Sequence, residues 1–368
     1  MAGLPNHLTE KPRLRRAADG SGAAAQSVRA VGRAGAMRNP APAGPSGADV
    51  LSDVLQTIRL AGSLQFCFIS NGDWETGHGS ELGELGAGVV MPFHIIVEGR
   101  CWMVLDGVRT ELEAGDVVAF PFASGHQLGA GRGGSLVSPT AGLPPRPWRD
   151  LPIVRHGDPA AGNRVRILCG FLQCDSLGFR PLREALPVLI HVRTRGANDG
   201  DGGLSWLRAT VSQIIAEAEM PRAGSRGMLE RLTEILFIEL LRHRLVGAGG
   251  ATAGWLAALG DPALSRCLSL IHEAPRRDWS VQQLAAASGL SRSVLAERFE
   301  TVLGTSPMRY VRDWRLCLAS VALGTTRRTI AAIAEEAGYG TEAAFNRAFS
   351  RTYGIPPAAW RQKARRQA

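Results

Sequence analysis

The sequence has little of what defines several protein classes. Its 368 residues include six cysteines and no Cys-x-x-Cys pair, which argues against a disulfide scaffold and favours a reducing cytoplasm. No apolar run approaches the roughly 18 residues of a membrane-spanning helix, and the N-terminus lacks the continuous apolar core of a signal peptide. We therefore expect a cytoplasmic protein with no membrane partner.

Lysine is scarce, so nearly all of the 42 basic residues are arginines, and the net charge is +9. The excess is concentrated at one end, because residues 255–368 hold 16 Lys and Arg against nine Asp and Glu. The guanidinium group pairs bidentately with phosphate and with guanine. The charge therefore favours a polyanionic partner for the C-terminal part of the chain.

The length favours two domains joined by a linker. Residues 1–47 are rich in Ala, Gly, Pro, Ser and Arg and predict a disordered tail. A further hypothesis is that translation starts at Met37. We expect one domain at residues 48–246, a linker of small residues at 247–254, and a second domain at 255–368.

The first domain combines strand and helix patterns. Short apolar strands separated by Gly and Asp turns predict a small β-barrel or sandwich. The predicted strands are Leu64–Ser70, Val89–Val97, Cys101–Leu105, Val117–Phe120 and Val165–Gln173. The predicted helices are Ala48–Leu60, Pro181–Leu189, Trp206–Glu219 and Met228–Leu245. Residues 129–163, rich in Gly, Pro and Arg, are predicted to form a loop, and the helical region 204–246 is a candidate dimer or interdomain surface.

The second domain contains a duplicated segment. Ser280–Ser291 is followed by Phe299, and about 49 residues later Thr329–Gly340 is followed by Phe349. Each copy has the pattern of a short helix, a turn with Gly and a second helix. This helix-turn-helix pattern places its second helix in the major groove of DNA. The duplication therefore predicts a protein that binds double-stranded DNA.

The spacing also indicates which side chains face the groove. We expect Leu284, Leu295 and Phe299 in the core of the first unit and Ile333, Phe345 and Phe349 in that of the second, with the helix Pro307–Leu323 as a rigid spacer. The residues expected at the DNA surface are Ser291, Arg292, Ser293 and Glu297 from the first unit and Thr341, Glu342, Asn346, Arg347 and Arg351 from the second.

These residues have different expected roles. Arg347 is the best candidate for guanine and Asn346 for adenine, while Glu297 could accept from cytosine or pair with an arginine. Arg292, Arg298, Arg351 and the cluster Arg361–Arg366 suit phosphates. The alternative is a solvated helical face without DNA, which the duplication on a basic domain disfavours.

The segment Leu256–Arg361 resembles the AraC/XylS family of bacterial transcriptional regulators. The resemblance rests on Leu284–Ser291, Gly304–Pro307 and Ile333–Tyr339, together with Phe299, Phe345, Arg347, Phe349 and Gly354. It implies a seven-helix DNA-binding domain tied to a ligand-sensing N-terminal domain. It also implies activation through contact with RNA polymerase. Glu297 stands where a basic or polar residue is often found in this family.

Three stretches of the first domain resemble the cupin-type sensor of one AraC branch: Phe93–Trp102, Leu112–Val118 and Pro121–His126. The His-x-His of metal-binding cupins is absent, since Ile96 stands two residues after His94. We therefore expect no resident cofactor. His78, His94 and His126 could still approach one barrel mouth and bind a metal, or more readily a small organic effector with Trp102, Phe93 and Phe120 as an apolar wall.

Cys67 and Cys169 lie in predicted strands and are candidates for a redox switch, with buried core cysteines as the alternative. The whole pattern predicts an α+β multidomain protein: a cupin-like β-barrel with helices, followed by an all-α double helix-turn-helix domain. The expected function is sequence-specific regulation of transcription, as an activator and possible homodimer that responds to a small molecule or oxidant. The alternatives are a cupin metalloenzyme fused to a DNA-binding domain and a nonspecific DNA-binding protein.

Overall fold

The computed structural model describes most of the chain from residue 49 onward, within one compact unit that spans Ser46–Ala368. The described residues are 49–57, 60–77, 89–134, 136–145, 148, 150–174, 179–195, 202–247 and 254–367. The expected tail at 1–47, the linker residues 248–253 and the candidate sensor residue His78 lie outside these ranges. Nothing in the described helices is long and apolar enough to cross a membrane.

The N-terminal domain consists of two sheets and four helices within these ranges. The helices are α1 (Val50–Thr57), α2 (Arg180–Ala185), α3 (Gly202–Glu219) and α4 (Ser225–Gly247). The strands are β1 (Leu60–Ser70), β2 (Trp74–Thr76), β3 (Val89–Glu98), β4 (Arg100–Leu105), β5 (Val108–Glu113), β6 (Asp116–Ala119), β7 (His126–Ala130), β8 (Leu136–Val137), β9 (Ile153–His156), β10 (Val165–Cys174) and β11 (Ile190–Arg193). One sheet has the order β11-β6-β3-β10-β1-β9 and the other β5-β4-β7-β2-β8.

The larger sheet is buried on both faces. Successive side chains of a strand point to opposite sides, so each strand contributes to the cores on the two faces of the sheet. On β3, Phe93 and Ile95 enter a core shared with the helices, whereas Ile96 enters the core between the two sheets. Helix α4 packs against β1 closely enough that a Cβ on Gly62 would lie 2.5 Å from the Cβ of Thr233. Burial on both faces explains why these strands are nearly continuous apolar runs.

Two expectations for this domain are wrong. Residues 129–163 are not one loop, since they contain β8, β9 and the end of β7. These strands are short and lie among Gly and Pro residues, so their alternation is hard to recognise. The expected helix Pro181–Leu189 ends at Ala185, because Pro187 forces Leu186 into an extended conformation.

The C-terminal domain is helical, as predicted. Its helices are α5 (Trp255–Gly260), α6 (Pro262–Glu273), α7 (Val281–Ala287), α8 (Arg292–Leu303), α9 (Pro307–Thr325), α10 (Ile330–Glu336), α11 (Glu342–Tyr353) and α12 (Pro357–Gln367). Ser280 and Gln283 form a capping box at the start of α7. Gly289 and Gly338 take φ angles of 71° and 82° in the two turns, which explains why both copies carry glycine there.

The two helix-turn-helix units have different surroundings. Leu284, Leu295 and Phe299 of the first unit belong to a continuous core that includes residues of α3, α4 and the larger sheet. Phe345 and Phe349 of the second unit lie in a separate core, built with residues from the C-terminal half of α9. The first unit therefore shares a continuous core with the N-terminal domain, in which α5 and α6 lie between the two, and the second unit is joined to the first through α9.

A buried hydrogen-bonded chain lies at the junction of the two domains. Trp255 Nε1 donates to the Tyr310 hydroxyl oxygen at 2.9 Å, and His272 Nε2 lies 2.9 Å from the same oxygen. Because indole only donates, the Tyr310 hydroxyl proton is free to donate to Nε2. The proton of neutral His272 then sits on Nδ1, which lies 3.8 Å from Asp53 Oδ2 of α1.

This junction predicts a dependence of stability on pH. Burial lowers the pKa of His272 to about 3, against roughly 6.5 in an unfolded chain. The contribution of neutral, buried His272 to the free energy of unfolding is therefore complete above about pH 6.5. It is lost as the pH falls towards 3, by up to ~1.4 kcal/mol per pH unit. We expect the difference in unfolding free energy between wild type and His272→Gln to narrow as the pH is lowered. Denaturant titrations of both proteins at several pH values measure this, and parallel curves would contradict it.

Candidate DNA-binding surface and sensor cavity

Helix α8 presents the expected polar face. Ser291 caps it by accepting a hydrogen bond from the Val294 amide at 3.3 Å, and its hydroxyl lies 3.1 Å from that of Ser293. Ser293, Arg292 and Glu297 are all exposed on this face. The predicted cap and exposed positions therefore agree with the structure.

Helix α11 repeats the arrangement. Thr341 caps it by accepting from the Ala344 amide at 3.2 Å. Glu342, Arg347 and Arg351 are exposed, and Asn346 is half-buried. The outer face of α11 therefore carries two arginines one turn apart, of which Arg347 lies beside the only amide side chain of the helix.

Several arginines expected to contact phosphate already have partners in the protein. Arg298 forms an ion pair with Asp261 at 3.0 Å, and an Arg361 amino group donates to the Arg328 carbonyl at 2.6 Å. Within the described part of the chain, Arg292, Arg347 and Arg351 form no ion pair. These three are the arginines of α8 and α11 whose charge is not balanced by a carboxylate.

A polar cluster links the two helix-turn-helix units. Arg315 of α9 donates to the carbonyl oxygens of Pro275 and Arg277, at 2.6 and 2.8 Å, in the loop before α7. The same side chain fills the turn of the second unit, where a Cβ on Gly338 would lie 2.5 Å from Arg315 Nη1. Glu336 of α10 pairs with Arg276 at 3.0 Å. These contacts connect the loop before α7 with the turn and helix α10 of the second unit, in addition to the continuous helix α9.

A cavity of about 320 Å³ lies in the N-terminal domain beside the core between the sheets. Much of its described lining is apolar and comes from Phe66, Phe68, Trp74, Leu128 and Ile167. His94, His126 and Cys169 also line it. The cavity has the size and character of a site for a small organic molecule.

The expected wall of Trp102, Phe93 and Phe120 is wrong. Trp102 lies between Cys101 and Met103, which point into the core, so its ring points to the opposite face of the strand. There its Nε1 donates to Gly131 O at 3.2 Å, and the Arg109 guanidinium lies 4.7 Å from the ring centroid. Phe93 belongs to the core on the helix side, and Phe120 stacks on His126 outside the described cavity lining.

His94 and His126 meet as predicted, in a chain whose tautomers are determined by its ends. His126 Nδ1 must donate to the Ser124 carbonyl at 2.9 Å, so its Nε2 accepts from His94 Nε2 at 2.8 Å. His94 Nδ1 then accepts from the Cys169 thiol at 3.2 Å. Burial lowers the pKa of both imidazoles, so the chain is uncharged at neutral pH.

This geometry does not gather a metal-ligand set. His126 and the Cys169 thiol face opposite nitrogens of the His94 ring, so the three groups do not converge on one point. Where the chain is described, no group of three or more His, Cys, Asp or Glu side chains could hold a metal ion. The expectation of no resident metal stays a prediction.

The two candidate redox cysteines face opposite sides of the larger sheet. Cys67 belongs to the core on the helix side and Cys169 to the core between the sheets, so their thiols are not placed to form a disulfide with each other. Burial raises the pKa of both thiols. A buried, protonated thiol is a poor nucleophile, which favours the alternative of core cysteines.

Comparisons with known proteins agree with this architecture. A cupin family model matches residues 49–245, and a helix-turn-helix domain model matches residues 284–363. An AraC-like transcription regulator from Streptomyces lividans is 29% identical over 85% of this chain and 98% of its own length. The regulator AlkR from Acinetobacter baylyi is 28% identical over 86% of this chain and 100% of its own. The RCS-specific activator RclR from Escherichia coli is 24% identical over 87% and 99%.

The first of these models covers more than half of the chain, and the relatives extend over both domains. Their names describe the same arrangement of a regulator with a helix-turn-helix domain. The chain therefore belongs to the AraC/XylS family of DNA-binding transcriptional regulators, with an N-terminal cupin domain and a C-terminal double helix-turn-helix domain.

Proposed function

We propose that this regulator reads a specific promoter sequence with both recognition helices and activates transcription when a small organic effector occupies the cupin cavity. The observation that carries the proposal is the pair α8 and α11, each capped by a hydroxyl side chain and each with its outer face exposed. A sequence-specific protein needs such a face at the base edges and cations at the phosphates.

Within α11, Arg347 reads guanine, and Asn346 reads adenine from its half-buried position. Arg351 lies one turn further along and contacts phosphate, while Thr341 and Glu342 lie at the helix start. In α8, Ser291, Arg292, Ser293 and Glu297 face the groove, with Arg292 the only unpaired cation of that face among the described side chains. The second unit therefore supplies most of the base discrimination.

Both helices can engage one DNA face only if their separation matches successive major grooves, which recur every ~34 Å. Helix α9 sets the distance, and the contacts of Arg315 and Glu336 set the rotation of one unit about the other. A helix alone leaves torsional freedom at its ends, whereas these contacts tie the loop before α7 and the turn of the second unit to it. Arg315 is therefore a positioning residue for base recognition.

The effector acts through the first unit. The core shared by that unit and the N-terminal domain supports this step, because a ligand that favours one packing of the core biases the position of α8. An organic effector is better supported as the signal than an oxidant, because Cys67 and Cys169 are buried thiols with raised pKa values.

We propose that the regulator acts together with two partners, RNA polymerase and a second copy of the chain. RNA polymerase is the proposed target of activation, and the name of the activator RclR supports activation as the direction of regulation. A homodimer through α4 is supported by Met228 and Ile235, which lie two turns apart with 51% and 44% of their surface exposed. Binding to chromosomal DNA would place the protein in the cytoplasm. The names of the relatives support a role without enzymatic activity.

The proposal predicts different effects for two arginines of α11. Footprinting of the purified protein on its own upstream region identifies the cognate site. On that site Arg347→Ala should cost about 1–3 kcal/mol and relax the preference at one base pair. Arg351→Ala should weaken cognate and random duplexes alike and reduce the salt dependence by about one phosphate contact. Equal losses on cognate and random DNA for Arg347→Ala would refute base reading by that residue.

The hydrogen bonds of Arg315 with the loop before α7, which we call the clamp, predict how binding depends on the spacing between the two DNA segments that the units contact. Arg315→Ala removes two charge-assisted hydrogen bonds, worth on the order of 2 kcal/mol or more between the units. We expect it to weaken binding to the cognate site and to reduce the preference for that site over one with a base pair inserted between the two contacted segments. Arg309→Ala, on the exposed side of the same helix, is the matched control. An unchanged ratio of the two affinities in Arg315→Ala would contradict the positioning role.

A further inference from the structure

The cavity of the cupin domain also indicates the chemical class of its ligand. We propose that it binds an uncharged, largely apolar molecule with one hydrogen-bond acceptor, whose oxygen accepts from the indole N–H of Trp74. This inference rests on the proposed function, because it names the class of effector for the same cavity. It concerns affinity and selectivity, which can be measured without DNA.

The lining carries no formal charge. Its described residues include no Asp, Glu, Lys or Arg. The two histidines are neutral, since each imidazole has a lowered pKa and each nitrogen already has a partner. A carboxylate or an ammonium group entering this space would lose its hydration without gaining a counter-ion. The described lining therefore selects against ionised ligands.

Most polar groups of the lining are already satisfied. The chain from Cys169 through His94 to His126 ends on a backbone carbonyl and has no spare donor. The Thr76 hydroxyl accepts from the Leu128 amide at 2.7 Å and donates to the Leu128 carbonyl at 3.1 Å. A ligand with many hydroxyl groups would find few partners here, so a largely apolar body fits best.

The Ser138 and Thr140 hydroxyls, which bond to each other at 3.2 Å, lie at an exposed part of the lining. Among the described fully buried side chains of the lining, the exception is Trp74. Its side chain is fully buried, it lines the cavity, and it lies edge-on to Phe68 with ring centroids 5.0 Å apart. Its Nε1 is buried without a hydrogen-bond partner among the described atoms. Indole N–H can only donate, and buried donors in folded proteins are nearly always paired. The group that would satisfy it is an acceptor. A carbonyl or ether oxygen of the ligand would supply it once the ligand displaces the neighbouring atoms that now cover Nε1.

Three probes that share a naphthalene ring and differ in one small substituent separate these features. They are 2-acetylnaphthalene, which is uncharged with an acceptor, 2-ethylnaphthalene, which is uncharged without one, and 2-naphthoate, which is anionic. Their affinities for the full-length protein are measured at pH 7.5 by fluorescence titration. We expect the ketone to bind about three- to tenfold more tightly than the ethyl compound, and the anion about a hundredfold or more weakly than the ketone.

Variants then assign the donor. Trp74→Phe should lose the preference for the ketone, because phenylalanine has no N–H to donate, while the loss of ring volume affects both uncharged probes alike. Trp206→Phe, at an exposed tryptophan of α3, is the matched control and should retain the preference for the ketone. If Trp74→Phe fails to fold, the order of the three affinities in the wild-type protein still tests the ligand class.

Each contrary result overturns a stated part of the proposal. Binding of 2-naphthoate as tight as that of the ketone, or no binding by any of the three, would refute the uncharged class. A preference for the ketone that is absent in wild type or survives in Trp74→Phe would refute the role of the indole. If the expected order holds but no uncharged ligand of the cavity alters transcription from the cognate promoter, the ligand class stands and the proposed sensing fails.

Discussion

The packing of α5, α6 and α9 of the C-terminal domain against the N-terminal domain is the contact on which the rest of the structure depends. Phe179 lies edge-on to Trp255, Tyr310, Trp314 and His272, with ring centroids 5.3 to 6.3 Å apart. It stands just before α2, whereas the four rings belong to α5, α6 and α9. A close-packed interior transmits displacement because it has few voids to absorb it. Any rearrangement around Phe179 must therefore move α9 or be resisted by it.

Helix α9 gives the two units unequal freedom. Tyr310 and Trp314 are held by the N-terminal domain, while Leu316 and Leu323 belong to the core of the second unit. The second unit follows α9 and the contacts of Arg315, with no share in the core of the N-terminal domain. In the proposed mechanism, an effector acts first on the position of α8, and α11 keeps its orientation relative to α8 as long as the contacts of Arg315 are intact. This division suits a protein in which one unit discriminates bases and the other receives the signal.

Local sequence patterns predict the DNA-binding domain well, because the contacts that define its helices and turns join residues that are close together in the sequence. Ser291 and Thr341 cap the helices that they precede, and these caps, the two turns and the buried Phe299 and Phe349 follow from spacing alone. The pairing of Arg298 with Asp261 joins residues 37 positions apart, so no local signal announced it. The clamp of Arg315 on the loop before α7 spans a similar separation and was missed for the same reason.

The cavity was harder to predict, because one residue of register decides which face a side chain takes. Trp102 is expected in the cavity wall, but its neighbours Cys101 and Met103 point into the core between the sheets, so Trp102 points to the other face of β4. His94 and His126 were correctly expected to meet, but the chain that neutralises them depends on Cys169 and Ser124. Trp74 gave no signal, since a three-residue strand has too little alternation to show that its indole is buried.

The alternation of side chains along β10 also connects the cavity to the core that continues to the first helix-turn-helix unit. On β10, Ile167 and Cys169 line the cavity, whereas Leu168 and Leu172 project from the other face into the core that continues to the first helix-turn-helix unit. Only the thickness of one sheet separates the ligand from that core. The neutral histidine chain fixes β10 to β3 and to Ser124, so a ligand that displaces Cys169 must shift β10 as a unit rather than one side chain. In the proposed mechanism, a small occupant of the cavity would therefore act on α8 through β10 and this core without entering the interface between the domains.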